Sequence, residues 1–230
     1  TINMKKTFFI SMVFLSLFVF NNQAKNLEYI IGSYNIRYVN DGDTDEKSWD
    51  NRSPYWFKMV RECKFDAFGV QEVTEKQALD FKNHLSDYEY IGYGRDNGKK
   101  QSNGAIGEQT GILFKKSSFE VLSYGRFFVS KTPQVASKLS SSFFNRMVVW
   151  AELKDKQTDF TFYLFSTHLD HPDNKHGEKT RKKQIKIAIK EVNKIIKNET
   201  FLFVGDFNFK DSEAAYKIIS KKWSDAFHAS

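Results

Sequence analysis

From Tyr88 to His168 the chain reads as five strands in succession: Tyr88–Arg95, Thr110–Lys115, Phe119–Val129, Arg146–Leu153 and Phe160–His168. Turns or polar loops separate them, and no helical period intervenes. A run of this kind predicts antiparallel sheet. On either side the texture changes. Glu28–Arg37 and Asp66–Val73 read as strands, with helices over Ser48–Cys63 and Thr74–Leu85. Thr74 followed by Gln77 is a capping-box pattern. After His168 come a long basic helix over Gly177–Lys197, a short apolar strand over Phe201–Val204 and a last helix over Asp211–Lys222. A doubly wound sheet alternates strand and helix throughout, which this order does not. Two packed sheets with helices outside them fit better.

The chain has 230 residues, enough for one large domain with its own core. No repeat or linker divides it. The longest loops, Asp96–Gly107 and Ser130–Asn145, are of a length that often carries function. Residues 1–24 read as an export signal. Lys5 and Lys6 precede an uncharged, mostly apolar stretch from Thr7 to Phe20, and Ala24 stands at the expected cut. The apolar stretch falls short of the ~20 residues of a transmembrane helix; an uncleaved anchor is the rival reading. Cleavage removes two lysines and no acid, taking the formal charge from +7 to +5. That mild basic bias is compatible with a phosphorylated substrate but does not identify one. Cys63 is the single cysteine, so no internal disulfide supports the fold. The expected location is secreted or periplasmic, and the expected state a monomer without a stable membrane span.

Four polar groups of residues stand at the ends of apolar strands: Ser33–Arg37, Gln71–Val73, Ser166–His171 and Gly205–Asn208. Strand ends on a rigid scaffold are where binding residues concentrate. Hydrolysis of a phosphoester needs a cation, a base for water and donors for the phosphoryl oxygens. Glu72, helped by Asn35, can hold a hard cation such as Mg²⁺. Asp206 can take a proton from water, Asn208 offers an amide to a phosphate oxygen, and His168 can stabilise developing charge. Singly, each residue has a bland reading: Asn35 as a turn, Glu72 as a helix-start charge, His168 as a satisfied core histidine, Asp206 as a polar turn. Their joint occurrence in this order carries more weight.

The ordered set Ser-Tyr-Asn-Ile-Arg at 33–37, Gln-Glu at 71–72, Thr-His-Leu-Asp-His at 167–171 and Gly-Asp-Phe-Asn at 205–208 resembles the endonuclease/exonuclease/phosphatase superfamily. Trp49-Asp50-Asn51-Arg52, Tyr93-Gly94-Arg95-Asp96, Gly107-Glu108 and the Arg146 strand resemble its secreted bacterial branch. The resemblance spans Tyr29 to the chain end. It implies a four-layer α/β/β/α sandwich, Mg²⁺ or Mn²⁺ at Asn35 and Glu72, and catalytic roles for His168, Asp206 and Asn208. It also implies a phosphoester substrate contacted by Arg95, Glu108, Arg146 and His171. Arginine suits bidentate phosphate contacts, while a structural salt bridge is the competing role for Arg95 and Arg146.

One departure bears on activity. Family members continue with an Asp-Tyr-Ile-like strand and a Ser-Asp-His segment, which are not found before Ser230. Asp225 and His228 are not read as substitutes. The resemblance therefore implies a domain over residues 25–230 that lacks its C-terminal strands and has open sheet edges. Two other readings remain: a non-catalytic binding module of the same fold, and an extracellular nuclease. Nucleic acid is a less favoured partner, because the lysines of the 177–197 helix lie opposite its apolar stripe and read as a solvated face.

Overall fold

The computed structural model describes residues 14–22, 25–197 and 199–229. Five strands form the first sheet: β1 (Phe14–Asn22), β2 (Lys25–Asn35), β3 (Ala67–Val73), β4 (Tyr88–Gly94) and β5 (Gln109–Lys115), in the order β1-β2-β3-β5-β4. Four form the second, in chain order: β6 (Phe119–Phe128), β7 (Met147–Asp155), β8 (Thr161–His168) and β9 (Phe201–Asp206). Each sheet contains one parallel pair, β2 with β3 and β8 with β9; the remaining pairs are antiparallel. The helix α1 (Trp49–Cys63) makes the first parallel crossover, and α3 (Lys175–Ile196) makes the second. A parallel pair requires such a crossover. Two β-α-β units therefore bring four strand ends to one edge of the sandwich.

Period-2 burial explains the layers. On β3, Ala67 faces the second sheet, while Phe68 and Val70 face the helices. On β8, Phe162 and Leu164 point to the first sheet and Phe165 to α3. Three apolar cores result. Between the sheets lie Ile31, Ile112, Phe114, Val149 and Leu164. Trp49, Trp56, Phe57 and Val60 of α1 pack on the first sheet with Phe81 of α2 (Glu75–His84). Ile185, Ala188 and Val192 of α3 pack on the second, with Ala215 of α4 (Ala214–Ile219). The α/β/β/α sandwich read from the sequence is the architecture observed. The α3 lysines at 179, 182, 183, 186, 190 and 194 are exposed, opposite the buried stripe.

Local chemistry sets several boundaries. The backbone N–H of Thr74 donates to Gln77 Oε1 at 2.8 Å, fixing the start of α2. Helix α3 begins at Lys175, two residues before the sequence suggests, because Asn174 Oδ1 accepts from the N–H groups of His176 and Gly177. An N-cap of this type satisfies otherwise orphaned donors. The helix expected over Asp211–Lys222 is confined to Ala214–Ile219. Glu213 ahead of it is extended and buried, and its carboxylate is taken by Arg181 of α3.

Strand β1 lies within the stretch read as an export signal and pairs antiparallel with β2 from Phe14↔Ser33 to Asn22↔Lys25. The rest of that stretch lies outside the described residues. Strand β1 thus covers the β2 edge of the first sheet, whereas β9 has no outer partner among the described residues. A short α5 (Ala226–Ala229) follows α4, and Tyr216 donates to Asp225 at 2.8 Å. No helix among the described residues is long and apolar enough to cross a membrane.

Candidate active site

The four strand ends converge at one edge. Asn35 closes β2, Glu72 is the penultimate residue of β3, and His168 and Asp206 end β8 and β9 as direct register partners. The backbone there is unusual. Arg37, Glu72 and Asn208 adopt positive φ of 58°, 62° and 52°. Non-glycine residues avoid this region, so such a cluster marks local strain held by its surroundings. Glu72 falls within a register shift between Val70 and Val73, which turns its carboxylate towards the edge.

Three side chains outside the pocket lining brace these ends. Arg52 of α1 donates through its guanidinium to the carbonyls of Ile36 and Arg37, just past β2. Gln77 Nε2 donates to the same Arg37 carbonyl at 2.8 Å. Gln71, fully buried, donates from Nε2 to Ser33 Oγ and Ser166 Oγ, each at 3.2 Å, tying the two sheets together beneath the site.

Asn35 is central. Its Nδ2 donates to Glu72 Oε1 at 2.8 Å and to Asp206 Oδ2 at 2.9 Å. The other oxygen of Asp206 accepts from the backbone N–H of Asn208 at 3.1 Å. The Asn208 amide donates to the carbonyl of Leu169 at 3.1 Å, so here it braces the loop after β8. His168 Nε2 lies 3.7 Å from Asp206 Oδ2, beyond hydrogen-bond reach. Burial, reinforced by the nearby charges of Arg146, Arg95 and His171, pushes His168 well below the usual histidine range. It is therefore neutral at physiological pH.

Beside this group is a pocket lined by Glu72, Arg95, Glu108, Gln109, Thr110, Asn145, Arg146, Met147 and His168. Arg95 Nη1 pairs with Glu108 Oε2 at 2.7 Å. Burial, aided by Glu72, raises the Glu108 carboxyl against the opposing pull of Arg95 and Arg146. Arg146 is buried, its Nε 3.8 Å from Asp170 Oδ1, and its Nη2 donates to His171 Nδ1 at 3.4 Å. Burial and the neighbouring Arg95 lower the Arg146 guanidinium from its ordinary value. Arg95 Nε, Arg146 Nε and Asp170 Oδ1 are buried with no hydrogen-bond partner among the described residues. The two arginine nitrogens belong to residues of the pocket wall, where a ligand's polar atoms can meet them, whereas Asp170 lies outside the lining with its Oδ1 facing Arg146 Nε.

All nine residues singled out from the sequence thus stand at this edge. Glu72, Arg95, Glu108, Arg146 and His168 line the pocket. Asn35, Asp206 and Asn208 adjoin it through hydrogen bonds, and His171 adjoins it through Arg146. Neither Asp225 nor His228 lines it.

The arrangement suits a divalent cation. One donor atom from each of Glu72, Glu108 and His168 lies within 4.8 Å of the others. Two carboxylates plus a neutral imidazole form a donor set compatible with Mg²⁺ or Mn²⁺. Glu108 joins this cluster although its sequence context pointed to substrate binding, and the Asn35 amide nitrogen is engaged by carboxylates. Three residues escaped sequence reasoning: Gln71, Asp170 and Phe144. The first two sit inside recognised motifs. Phe144 lies in the long Ser130–Asn145 loop, whose length was the one signal there and did not single out this residue.

No family model matches the chain, and neither does any curated protein. Solved structures do. An endonuclease/exonuclease/phosphatase family protein from Bacteroides thetaiotaomicron is 33% identical, with a TM-score of 0.75, over 84% of this chain and 68% of that one. The endonuclease/exonuclease/phosphatase from Bacteroides vulgatus is 30% identical (TM-score 0.76), over 84% and 70%. A mannosyl-6-phosphatase from Bacteroides thetaiotaomicron is 33% identical (TM-score 0.76), again over 84% and 70%. With this identity and shared fold over most of both chains, the chain belongs to the endonuclease/exonuclease/phosphatase family.

Proposed function

We propose that this protein is a secreted, Mg²⁺- or Mn²⁺-dependent phosphoester hydrolase that uses an activated water. The observation that carries the proposal is the Asn35 amide shared between the Glu72 and Asp206 carboxylates at the edge of an arginine-lined pocket. Likeness to the mannosyl-6-phosphatase supports a phosphomonoester substrate.

Asp206 is the base. One of its oxygens is fixed by Asn35 and the other by the Asn208 backbone N–H, so the carboxylate is oriented before substrate arrives. Neutral His168 supplies an N–H to a phosphoryl oxygen without adding positive charge. Arg95 and Arg146 offset the charge of the phosphoryl group. Glu72, with Asn35 and Glu108 close by, would hold the cation, which supplies electrostatic stabilisation of the phosphoryl oxygens when bound.

Metal-stripped protein should regain hydrolysis of phosphomonoesters on adding Mg²⁺ or Mn²⁺, and Asp206→Ala should lose it by at least about 10³-fold. Turnover that persists in chelator, or in Asp206→Ala, would sink the mechanism. For export, cleavage after Ala24 would remove β1 and uncover the β2 edge. N-terminal sequencing of exported protein tests it: a mature chain that retains Lys5 and Lys6 overturns the signal reading.

A further inference from the structure

Phe144 is where the substrate-side groups meet. Arg95 Cζ stands over its ring, 4.0 Å from the centroid, and Arg146 Cζ lies 5.6 Å from the same centroid. His171 stacks against it at 6.0 Å with 27° between the planes. The ring takes no hydrogen bond from these groups; Arg95 Nη1 is engaged by Glu108 and Arg146 Nη2 by His171, while each Nε is left without a hydrogen-bond partner among the described residues. Like charges beside one another repel, and an aromatic face that attracts both offsets the repulsion while fixing the spacing. The loop is strapped down. Asn145 Nδ2 donates to the Arg95 carbonyl at 3.1 Å, the Phe143 N–H to Asp170 Oδ2 at 3.3 Å, and Lys138 Nζ to the Phe143 carbonyl at 2.8 Å. The side chains of Arg95 and Arg146 are 14% and 4% exposed, and each retains a buried Nε without a hydrogen-bond partner among the described residues.

We propose that Phe144 is a positioning residue that spaces the Arg95 and Arg146 guanidinium groups into a clamp for the dianionic terminal phosphate of a phosphomonoester. The inference rests on the phosphoesterase reading of the same site. A monoester brings two negative charges and three terminal oxygens, enough to engage two separate planar forks. A diester brings one charge and two free oxygens, fewer than the two guanidinium groups, which already face Glu108 and Asp170, can engage with their remaining donors. The clamp therefore selects monoesters over diesters by charge.

Calorimetric titration of the full chain in Mg²⁺ at pH 8 tests this without requiring turnover. Inorganic phosphate serves as the dianionic probe and dimethyl phosphate as the monoanionic one. Phosphate should bind at least about tenfold tighter than dimethyl phosphate. Phe144→Leu should weaken phosphate about three- to tenfold, whereas Phe144→Tyr, which keeps the ring, should stay within about twofold. Dimethyl phosphate should change by less than about twofold in either variant. Phe144 is 38% exposed, so both variants should fold, and matching thermal midpoints would check that. Equal affinity for the two anions overturns the proposal, as does a Leu variant that binds like wild type or a Tyr variant as weak as Leu. Absence of phosphate binding to the wild type at millimolar concentrations also overturns it. Failure of the hydrolase reading shows separately, as turnover unaffected by Asp206→Ala, because phosphate binding is read without catalysis.

Discussion

Asn35 and Asp206 are separated by 171 residues in the chain and joined by a 2.9 Å hydrogen bond from Nδ2 to Oδ2. The same nitrogen reaches Glu72 Oε1 at 2.8 Å. One amide group therefore holds a carboxylate from each sheet, and the reactive edge exists only when the two sheets are packed in register. Asn35→Ala removes the shared donor and leaves two carboxylates facing without a mediator. We expect kcat/KM on a phosphomonoester to fall about 10²- to 10³-fold, with a higher Mg²⁺ concentration needed for half-maximal rate. Steady-state kinetics across a metal titration would test this; an unchanged metal dependence would count against the bridging role.

Gly205 sets the position of Asp206. Its φ is +151°, and a Cβ there would sit 2.3 Å from the carbonyl oxygen of Thr167, its register partner on β8. Gly205→Ala should destabilise the protein by about 2–3 kcal/mol through backbone strain and steric crowding. Because Asp206 and His168 are the next paired residues, activity should fall with it. Urea denaturation and initial rates would check both effects.

Arg181, fully buried on α3, connects the second helical layer to the site. Its guanidinium pairs with Glu213 at 2.9 Å and donates to the carbonyls of Asp170 and Pro172 at 3.1 and 2.8 Å. Arg181→Ala strands a buried carboxylate and should cost about 3–5 kcal/mol. The double change Arg181→Met, Glu213→Leu should recover most of that stability. It should not recover activity, since the His171 loop still lacks its two carbonyl anchors. Denaturation midpoints compared with kcat/KM separate the two contributions.

His168 makes stability depend on pH. Burial lowers its folded-state value, with Arg146, Arg95 and His171 adding to the effect. Below about pH 6.5, the unfolded chain takes up a proton at this position that the folded chain refuses. The stability contribution is thus complete above about pH 6.5 and declines as pH falls towards the folded value, by up to about 1.4 kcal/mol per pH unit. Thermal midpoints of metal-free protein should drop between pH 6.5 and pH 5. His168→Gln should flatten that slope relative to wild type. Parallel slopes would refute the assignment.

The local structure was legible in the sequence wherever neighbours along the chain decide it. Ala67, Phe68, Gly69 and Val70 alternate between the two faces of β3, and Thr74 with Gln77 signals the start of α2. The ordered polar residues Asn35, Glu72, His168 and Asp206 marked four strand ends because each follows an apolar run. Their convergence was legible only through family resemblance, since spacing alone cannot say which strands pair. Other features needed the packed sheets. Glu108 reaches the Glu72–His168 cluster because β5 lies beside β3 and against the second sheet. The buried Gln71 amide spans from Ser33 to Ser166, and Phe144 gathers two arginines and a histidine from three segments. The shortening of α4 follows from Arg181 taking Glu213, a partner 32 residues away. Periodicity and caps are short-range and can be read from a few consecutive residues. Charge pairing, cation–π contact and sheet-to-sheet hydrogen bonds act over a few ångströms of space, and only the folded chain decides which residues come that close.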